Sequence, residues 1–202
     1  MNVGVLVSGG GTNLQALLDA EERGDLDPAT ITVVISNRPE APALLRAAEA
    51  GKAGHVVDHK AFADRAAFET RLLEVLDEHR VETVVLAGFM RVLTPHFLDR
   101  YPLRVINTHP SLLPAFPGID APTQAIEHGV KVSGATIHFV DGSLDGGPII
   151  AQVPIAVFPG DDPLTLHQRI QAEEHRILPD VVRRLAAGRY SCKGRHVVER
   201  AE

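Results

Sequence analysis

Short, almost continuous apolar runs alternate in the first half of the chain with segments in which apolar residues return every three or four positions. Runs of the first kind are typical of parallel strands that are buried on both faces. They cover Val3–Val7, Ile31–Ile35, Thr83–Leu86 and Arg104–Ile106. The helical spacing covers Asn13–Arg23, Pro42–Ala50 and Ala66–His79. Successive strand–helix–strand units predict an α/β fold with a doubly wound, mainly parallel sheet.

The pattern changes after Asn107. Two β-type runs, Val132–Val140 and Ile149–Val157, are separated by a turn-rich segment at residues 141–148. This arrangement predicts an antiparallel pair in the C-terminal half of the chain. Pro154 favours an edge or a bulge for the second run, because proline donates no ladder hydrogen bond.

The last predicted helix has clear signals at both ends. Asp162 is expected to be its N-cap and Pro163 its first residue. We expect the helix to reach about Leu178, where Pro179 should end or kink it. The last ten residues are polar and are expected to fray.

Composition and charge exclude several classes of protein. The 202 residues are 45% hydrophobic and 23% charged, which are ordinary values for a water-soluble globular chain. No apolar run approaches the roughly 20 residues of a spanning helix, so we expect no membrane association. With 20 Lys and Arg against 26 Asp and Glu, the net charge of −6 disfavours nucleic acid as a partner. Cys192 stands alone, which excludes an internal disulfide, and no leader segment is evident, so the expected location is cytoplasmic.

A glycine-rich loop, Ser8–Asn13, follows the first strand and opens the first helix. A dinucleotide fingerprint would need a third glycine where Leu14 stands, and an acidic residue where Ser36–Asn37 stands. A nucleoside-triphosphate loop would need a lysine after Gly11. Two interpretations remain: a turn required only for packing, and a cradle in which helix-end amides hold one small phosphate.

Asn107 and His109 follow the strand Arg104–Ile106, at the end of a parallel strand where ligands bind in open α/β sheets. Their spacing of two places both side chains on one side of an extended backbone. An amide beside an imidazole suits a developing oxyanion, because both groups can donate hydrogen bonds to it. A histidine that merely lies in a loop is the alternative. No His, Asp or Glu spacing typical of a metal site is present, so we expect no metal.

The wider motif resembles that of the folate-dependent formyltransferases. Asn107–Pro114 reads Asn-Thr-His-Pro-Ser-Leu-Leu-Pro, and Leu144–Pro148 reads Leu-Asp-Gly-Gly-Pro. Together with Ser8–Asn13 and Ala87–Arg91, these motifs are similar to the group that formylates 5-phosphoribosylglycinamide in de novo purine biosynthesis. The resemblance runs from residue 1 to about residue 188. It implies a Rossmann-like formyltransferase fold and 10-formyltetrahydrofolate, a reduced folate, as cosubstrate.

The resemblance also implies roles for individual residues. It implies a catalytic trio of Asn107, His109 and Asp145. It implies that the acceptor and its phosphate are bound by Gly11, Thr12, Asn13 and Glu174. It implies that the folate is contacted by Arg65, Leu86, Met90, Arg91, Val92, Leu93, Asn107, Val140, Asp141 and Leu144. The family further implies a cis bond before Pro114.

We expect one domain, with a phosphate-binding half at 1–106, a catalytic and folate-binding half at 107–188 and a polar tail at 189–202. The protein is expected to be a monomer or a homodimer. The match departs at Asp120, where some family members have a histidine.

Three other functions remain open at this level. A methionyl-tRNA formyltransferase would need a basic RNA-binding surface and a further C-terminal domain, and a formyl-folate hydrolase would carry an extra N-terminal domain. We expect neither domain. A phosphate-binding module without catalysis would explain the glycine loop but not the trio.

Overall fold

Nine strands form one sheet in residues 1–200, the part of the chain that the computed structural model describes. The strands are β1 (Asn2–Val7), β2 (Thr30–Ser36), β3 (Ala53–Val56), β4 (Thr83–Leu86), β5 (Val105–His109), β6 (Val132–Phe139), β7 (Ile149–Ala156), β8 (Tyr190–Lys193) and β9 (His196–Glu199). The helices are α1 (Thr12–Glu22), α2 (Ala43–Glu49), α3 (Arg65–Glu78), α4 (Pro95–Leu98), α5 (Ala121–Glu127) and α6 (Pro163–Ala186). A 3-10 turn covers His59–Ala61.

The strand order is β3-β2-β1-β4-β5-β6-β7-β9-β8. From β3 to β5 neighbouring strands are parallel, whereas β6 is antiparallel to both β5 and β7. The chain winds outward in one direction from β1 to β3 and in the other from β4 onward. The predicted doubly wound, mainly parallel sheet with an antiparallel pair is therefore confirmed, and its switch point lies between β1 and β4.

Alternate residues of the central strands enter two separate cores, one on each face of the sheet. On β1, Val5 packs into the core beneath α1 and α6, whereas Leu6 packs into the core beneath α3. On β4, Val85 and Leu86 divide in the same way. Burial on both faces explains why these strands are apolar throughout.

Two predictions about the C-terminal part are wrong. The last helix does not end at Leu178 but continues through Pro179 to Ala186. The apolar stripe of α6 continues beyond the proline with Val181 and Val182, which are buried in the core, and this packing outweighs the hydrogen bond that the proline cannot make. Its start agrees with the prediction, because Asp162 accepts a hydrogen bond from the amide of Thr165 and Pro163 follows as the first helical residue.

The end of the chain is not frayed over its described length. Tyr190–Lys193 and His196–Glu199 pair as an antiparallel hairpin, which joins β7 at one position. Arg184 of α6 forms an ion pair with Glu199, 2.5 Å between Nη1 and Oε1. The polar composition of this segment gave no indication of a hairpin, because only a few of its described residues, Tyr190, Cys192 and Val197, add apolar surface to the core. Residues 201–202 of the predicted tail lie outside the described part.

Candidate active site

The predicted catalytic and phosphate-binding residues lie at the carboxyl ends of the strands beside the switch point. Strand β5 extends further than predicted, to His109. Asn107 and His109 are therefore the third and the last residues of the strand and do not lie in a loop beyond it. Both side chains therefore project from one face of the same strand. The glycine loop follows β1, and residues 87–94 follow β4, at the same edge of the sheet.

His109 is buried, and each of its ring nitrogens faces oxygen. Nε2 donates a hydrogen bond to the carbonyl of Phe116 at 2.8 Å, which fixes the orientation of the ring. Nδ1 lies 3.5 Å from Oδ2 of Asp145, and this nitrogen has no hydrogen bond within residues 1–200. Nδ1 therefore keeps its capacity for one hydrogen bond while it faces a carboxylate.

Asp145 is held by backbone geometry as well as by charge. Its Oδ2 accepts a hydrogen bond from the amide of Gly118 at 2.7 Å, and its backbone has the unusual positive φ of 48°. Gly147 lies close against β6, where an added Cβ would be 1.8 Å from the carbonyl oxygen of Phe139. This close approach brings the turn that carries Asp145 against the end of the sheet. A residue held in left-handed backbone at such a point is a mark of a functional site.

His138 on β6 completes the group, although no motif in the sequence singles it out. In the antiparallel ladder it stands directly opposite Asn107, and its Nε2 accepts a hydrogen bond from Asn107 Nδ2 at 3.2 Å. Its Nδ1 donates to the carbonyl of Phe139 at 2.9 Å. Burial lowers the pKa of His138, against smaller opposing effects of its hydrogen bond to the Phe139 carbonyl and of the charge on Asp145. A neutral ring with this tautomer orients the amide of Asn107 towards His138.

The four side chains therefore form one connected cluster. His138 contacts Asn107 on one side and lies 3.9 Å from Asp145 on the other, measured from Nε2 to Oδ1. Asp145 in turn faces His109. The signal that could have identified His138 is its place in the alternating run of β6, but the register with β5 cannot be read from the sequence.

A buried hydrogen-bond network supports the loop that follows β5. Thr136 on β6 donates from its hydroxyl to the carbonyl of Ser111 at 2.6 Å and accepts from the amide of Leu113 at 3.1 Å. Gln152 on β7 donates to the carbonyl of Leu113 at 2.8 Å. The bond between Leu113 and Pro114 is cis, as the resemblance implied. The network holds in place the loop whose Phe116 carbonyl binds His109.

Helix α2 turns the carbonyl groups of the glycine loop away from the site. The amide of Ala43 donates to the carbonyl of Gly9 at 3.2 Å, and Nε of Arg46 donates to that of Gly10 at 2.8 Å. Gly11 has a φ of 72°, and a Cβ added to it would lie 2.6 Å from the Cβ of Ala43. Only glycine satisfies both the backbone angle and the close packing at this position.

The start of α1 is left open, and Asn13 lies within it. No side chain caps this helix end, so its first amides are available to an anion. The buried Asn13 donates from Nδ2 to Glu174 Oε2 at 2.9 Å and to Thr108 Oγ1 at 3.3 Å, whereas its Oδ1 has no partner within residues 1–200. Burial raises the pKa of Glu174 to about 7, and the hydrogen bond from Asn13 opposes this increase. Asn13 therefore joins the predicted phosphate loop to α6 through Glu174 and to β5 through Thr108.

The residues with predicted folate contacts differ widely in exposure. Met90 and Val92 are 63% and 58% exposed on the segment after β4, whereas the side chain of Leu93 is buried in the core. Arg65 is the exposed first residue of α3. The remaining positions are Leu86, buried at the end of β4; Arg91, exposed beside Met90; Val140, half-buried after β6; and Asp141 and Leu144, exposed on the Asp145 turn.

Two surface cavities of about 390 and 510 Å³ lie along α1 and α2. Both are lined by Gln15, Asp19 and Arg46, and the smaller one also reaches Thr12. Neither cavity is lined by the trio, which lies at the carboxyl ends of the strands. Among the described residues, no group of three or more His, Cys, Asp and Glu side chains could hold a metal ion. None of the described helices combines the length and the apolar character needed to cross a membrane.

Comparison with known proteins identifies similar chains along nearly the whole length. Residues 1–182 match the family described as formyl transferase. The phosphoribosylglycinamide formyltransferase of Escherichia coli (strain K12) is 43% identical over 189 residues, which cover 94% of this chain and 89% of that protein. The protein of the same name from Bacillus subtilis (strain 168) is 40% identical over 181 residues, with coverages of 90% and 92%. A crystal structure of glycinamide ribonucleotide transformylase 1 from Symbiobacterium toebii has a TM-score of 0.97 at 48% identity and covers 98% of this chain and 93% of that one.

Proposed function

From the premise that the chain belongs to the formyl transferase family, we propose that it transfers the formyl group of 10-formyltetrahydrofolate to the amine of 5-phosphoribosylglycinamide. The observation that carries the proposal is the connected cluster of Asn107, His138, Asp145 and His109 beside an open helix end. The cluster supplies hydrogen-bond donors for a formyl oxygen, and the helix end supplies amides for a phosphate.

The reaction needs no nucleophile from the protein. The neutral amine of the acceptor attacks the formyl carbon, so negative charge develops on the formyl oxygen and positive charge on the amine. Asn107 and protonated His109 stabilise that oxygen, and because this interaction is strongest in the transition state it lowers the barrier. The bond between the formyl carbon and the folate nitrogen then breaks as His109 gives its proton to that nitrogen, and the former amine releases its extra proton to solvent, from which His109 is protonated again.

The contacts of His109 support a division of labour between its two nitrogens. Nε2 is bonded to the Phe116 carbonyl and holds the ring, so Nδ1 is the nitrogen that acts on the substrate. Asp145 lies 3.5 Å from Nδ1 and stabilises the positive charge of the ring before the proton is transferred. The neutral His138 acts through Asn107, because it occupies one N–H of that amide and thereby orients the other.

The acceptor is held by the other half of the site. Its phosphate lies on the amides of Gly11, Thr12 and Asn13 at the start of α1, where the helix dipole adds to the attraction. Glu174 and the unpartnered Oδ1 of Asn13 remain to accept hydrogen bonds from the sugar or the amide of the acceptor. Binding both substrates at one sheet edge supplies the proximity that a two-substrate reaction needs.

The test is an acceptor panel with purified protein and 10-formyltetrahydrofolate. The acceptors are 5-phosphoribosylglycinamide, ribosylglycinamide without the phosphate, methionyl-tRNA and water alone, and both the deformylated folate and the formylated acceptor are measured. We expect rapid transfer only to the phosphorylated glycinamide. Equal rates with and without the phosphate would contradict the role of the helix end. Formylation of methionyl-tRNA, or deformylation in water alone, would contradict the proposed reaction.

A further inference from the structure

A carboxylate without a counter-ion is buried beneath the segment that joins β4 to α4. Glu69 lies on the inner face of α3 and is fully buried. Within residues 1–200 its partners are hydrogen-bond donors, and no cationic side chain pairs with it. Burying a carboxylate without a cation is costly, so such a residue is retained for what its hydrogen bonds hold.

Both hydrogen bonds of Glu69 end on one residue, Thr94. Oε1 accepts from the amide of Thr94 at 2.8 Å, and Oε2 accepts from its hydroxyl. Thr94 closes the irregular segment 88–94 and is followed by the first residue of α4. The beginning of the same segment is held by the residue that follows β1, because the amide of Met90 donates to Oγ of the buried Ser8 at 2.8 Å.

The segment is therefore fixed at two points by side chains from outside it. The side chains of Met90, at the first point, and of Val92, between the two, are exposed, whereas that of Leu93 is buried in the core. Exposed apolar side chains on a fixed backbone offer a surface to a flat, aromatic ligand. Helix α3 begins one turn before Glu69 with Arg65, so a single helix carries both the predicted contact for the folate tail and the support of this segment.

We infer that Glu69, acting through Thr94, is a positioning residue that fixes segment 88–94 for the reduced folate. The inference rests on the proposed function, because it takes the folate as the ligand of this segment. Glu69 is buried and does not touch the ligand. Its loss weakens folate binding and leaves the chemistry of the trio and the binding of the acceptor unchanged.

The experiment compares Glu69→Gln, Thr94→Val and Thr94→Ser with the native protein. The kcat, the KM for each substrate and the Kd of tetrahydrofolate, measured by calorimetry under anaerobic conditions, are determined for each variant. Glu69→Gln and Thr94→Val should raise the folate KM and the tetrahydrofolate Kd about tenfold, the effect of one lost hydrogen bond to a charged group. Thr94→Ser keeps the hydroxyl and should bind as the native protein does. Glu74→Gln, the same chemical change on the exposed face of α3, is the matched control.

Unchanged folate KM and Kd in both Glu69→Gln and Thr94→Val would overturn the inference. A parallel loss of kcat and of acceptor binding would also overturn it, because it would indicate general damage to the fold. Should Glu69→Gln fail to fold, the comparison of Thr94→Val with Thr94→Ser decides. A native protein that binds tetrahydrofolate but transfers no formyl group refutes the proposed function, whereas the Kd series still tests Glu69.

Discussion

Replacing Glu174 by Gln should make the protein more stable at neutral and alkaline pH. Burial raises the pKa of Glu174 to about 7, from an ordinary value of 4.5. The folded protein therefore holds this proton up to about pH 7, whereas the unfolded chain loses it near pH 4.5. The free energy of unfolding falls as the pH rises between these two values and stays at the lower level above them.

The size of the effect follows from the difference between the two pKa values. Each unit corresponds to about 1.4 kcal/mol, so ionisation of the buried carboxylate costs about 3 kcal/mol. Gln resembles the protonated side chain in shape and does not titrate. The stability difference between Glu174→Gln and the native protein should therefore grow by about 3 kcal/mol from pH 4 to pH 8.

Urea unfolding at several pH values measures this difference directly. Glu173→Gln is the matched control, because Glu173 is the preceding residue of α6 and forms an ion pair with Arg176 at the surface. The control should not acquire the same pH dependence. If the unfolding free energies of Glu174→Gln and the native protein run parallel from pH 4 to pH 8, the argument from burial is wrong.

Three further predictions test the site and the fold. His109→Ala and Asn107→Ala should each lower kcat about a hundredfold or more, with little change in KM, because each removes an oxyanion donor. Native turnover in either variant would exclude a catalytic role for that residue. Gly11→Ala should raise the acceptor KM at least about tenfold and leave the folate KM unchanged, because the added Cβ would lie 2.6 Å from that of Ala43. Adding Ala43→Gly to this variant should lower the acceptor KM part of the way back. Asp64→Ala should lower the free energy of unfolding, measured by urea titration, by about 1 kcal/mol, because the N-cap hydrogen bond to the first turn of α3 is lost. Asp64→Asn keeps a capping oxygen and should retain most of that stability.

The parallel half of the fold can be predicted from the sequence, because strands that are buried on both faces are apolar at every position. The bounds of β4 agree with the prediction residue for residue. The edge strand β3 (Ala53–Val56) is missed, since it alternates between half-buried and exposed residues and contains Gly54. The path of α6 through Pro179 is missed for another reason: packing of the residues beyond a proline can outweigh its local effect.

In the site, too, contacts within one strand can be predicted from the sequence, whereas contacts between distant segments cannot. Asn107 and His109 share a strand, so their common face follows from a spacing of two. Nothing local brings His138 opposite Asn107, because that contact depends on the register of an antiparallel pair whose connection is more than twenty residues long. The role of Glu69 cannot be predicted from the sequence for a similar reason, since its position on α3 gives no indication that its carboxylate is hydrogen-bonded to Thr94.

Several residues of the site have features that reduce the stability of the fold. Asp145 and Phe116 both have positive φ angles, of 48° and 54°, which side chains rarely adopt. Glu174 is buried where ionisation is unfavourable, and Asn13 has an oxygen without a partner. Such features each lower stability, so a sequence selected for stability alone would not keep them around one strand end. Their concentration at the end of β5 is what binding and catalysis require: acceptors, donors and charges held in place before the substrates arrive, which the substrates then satisfy.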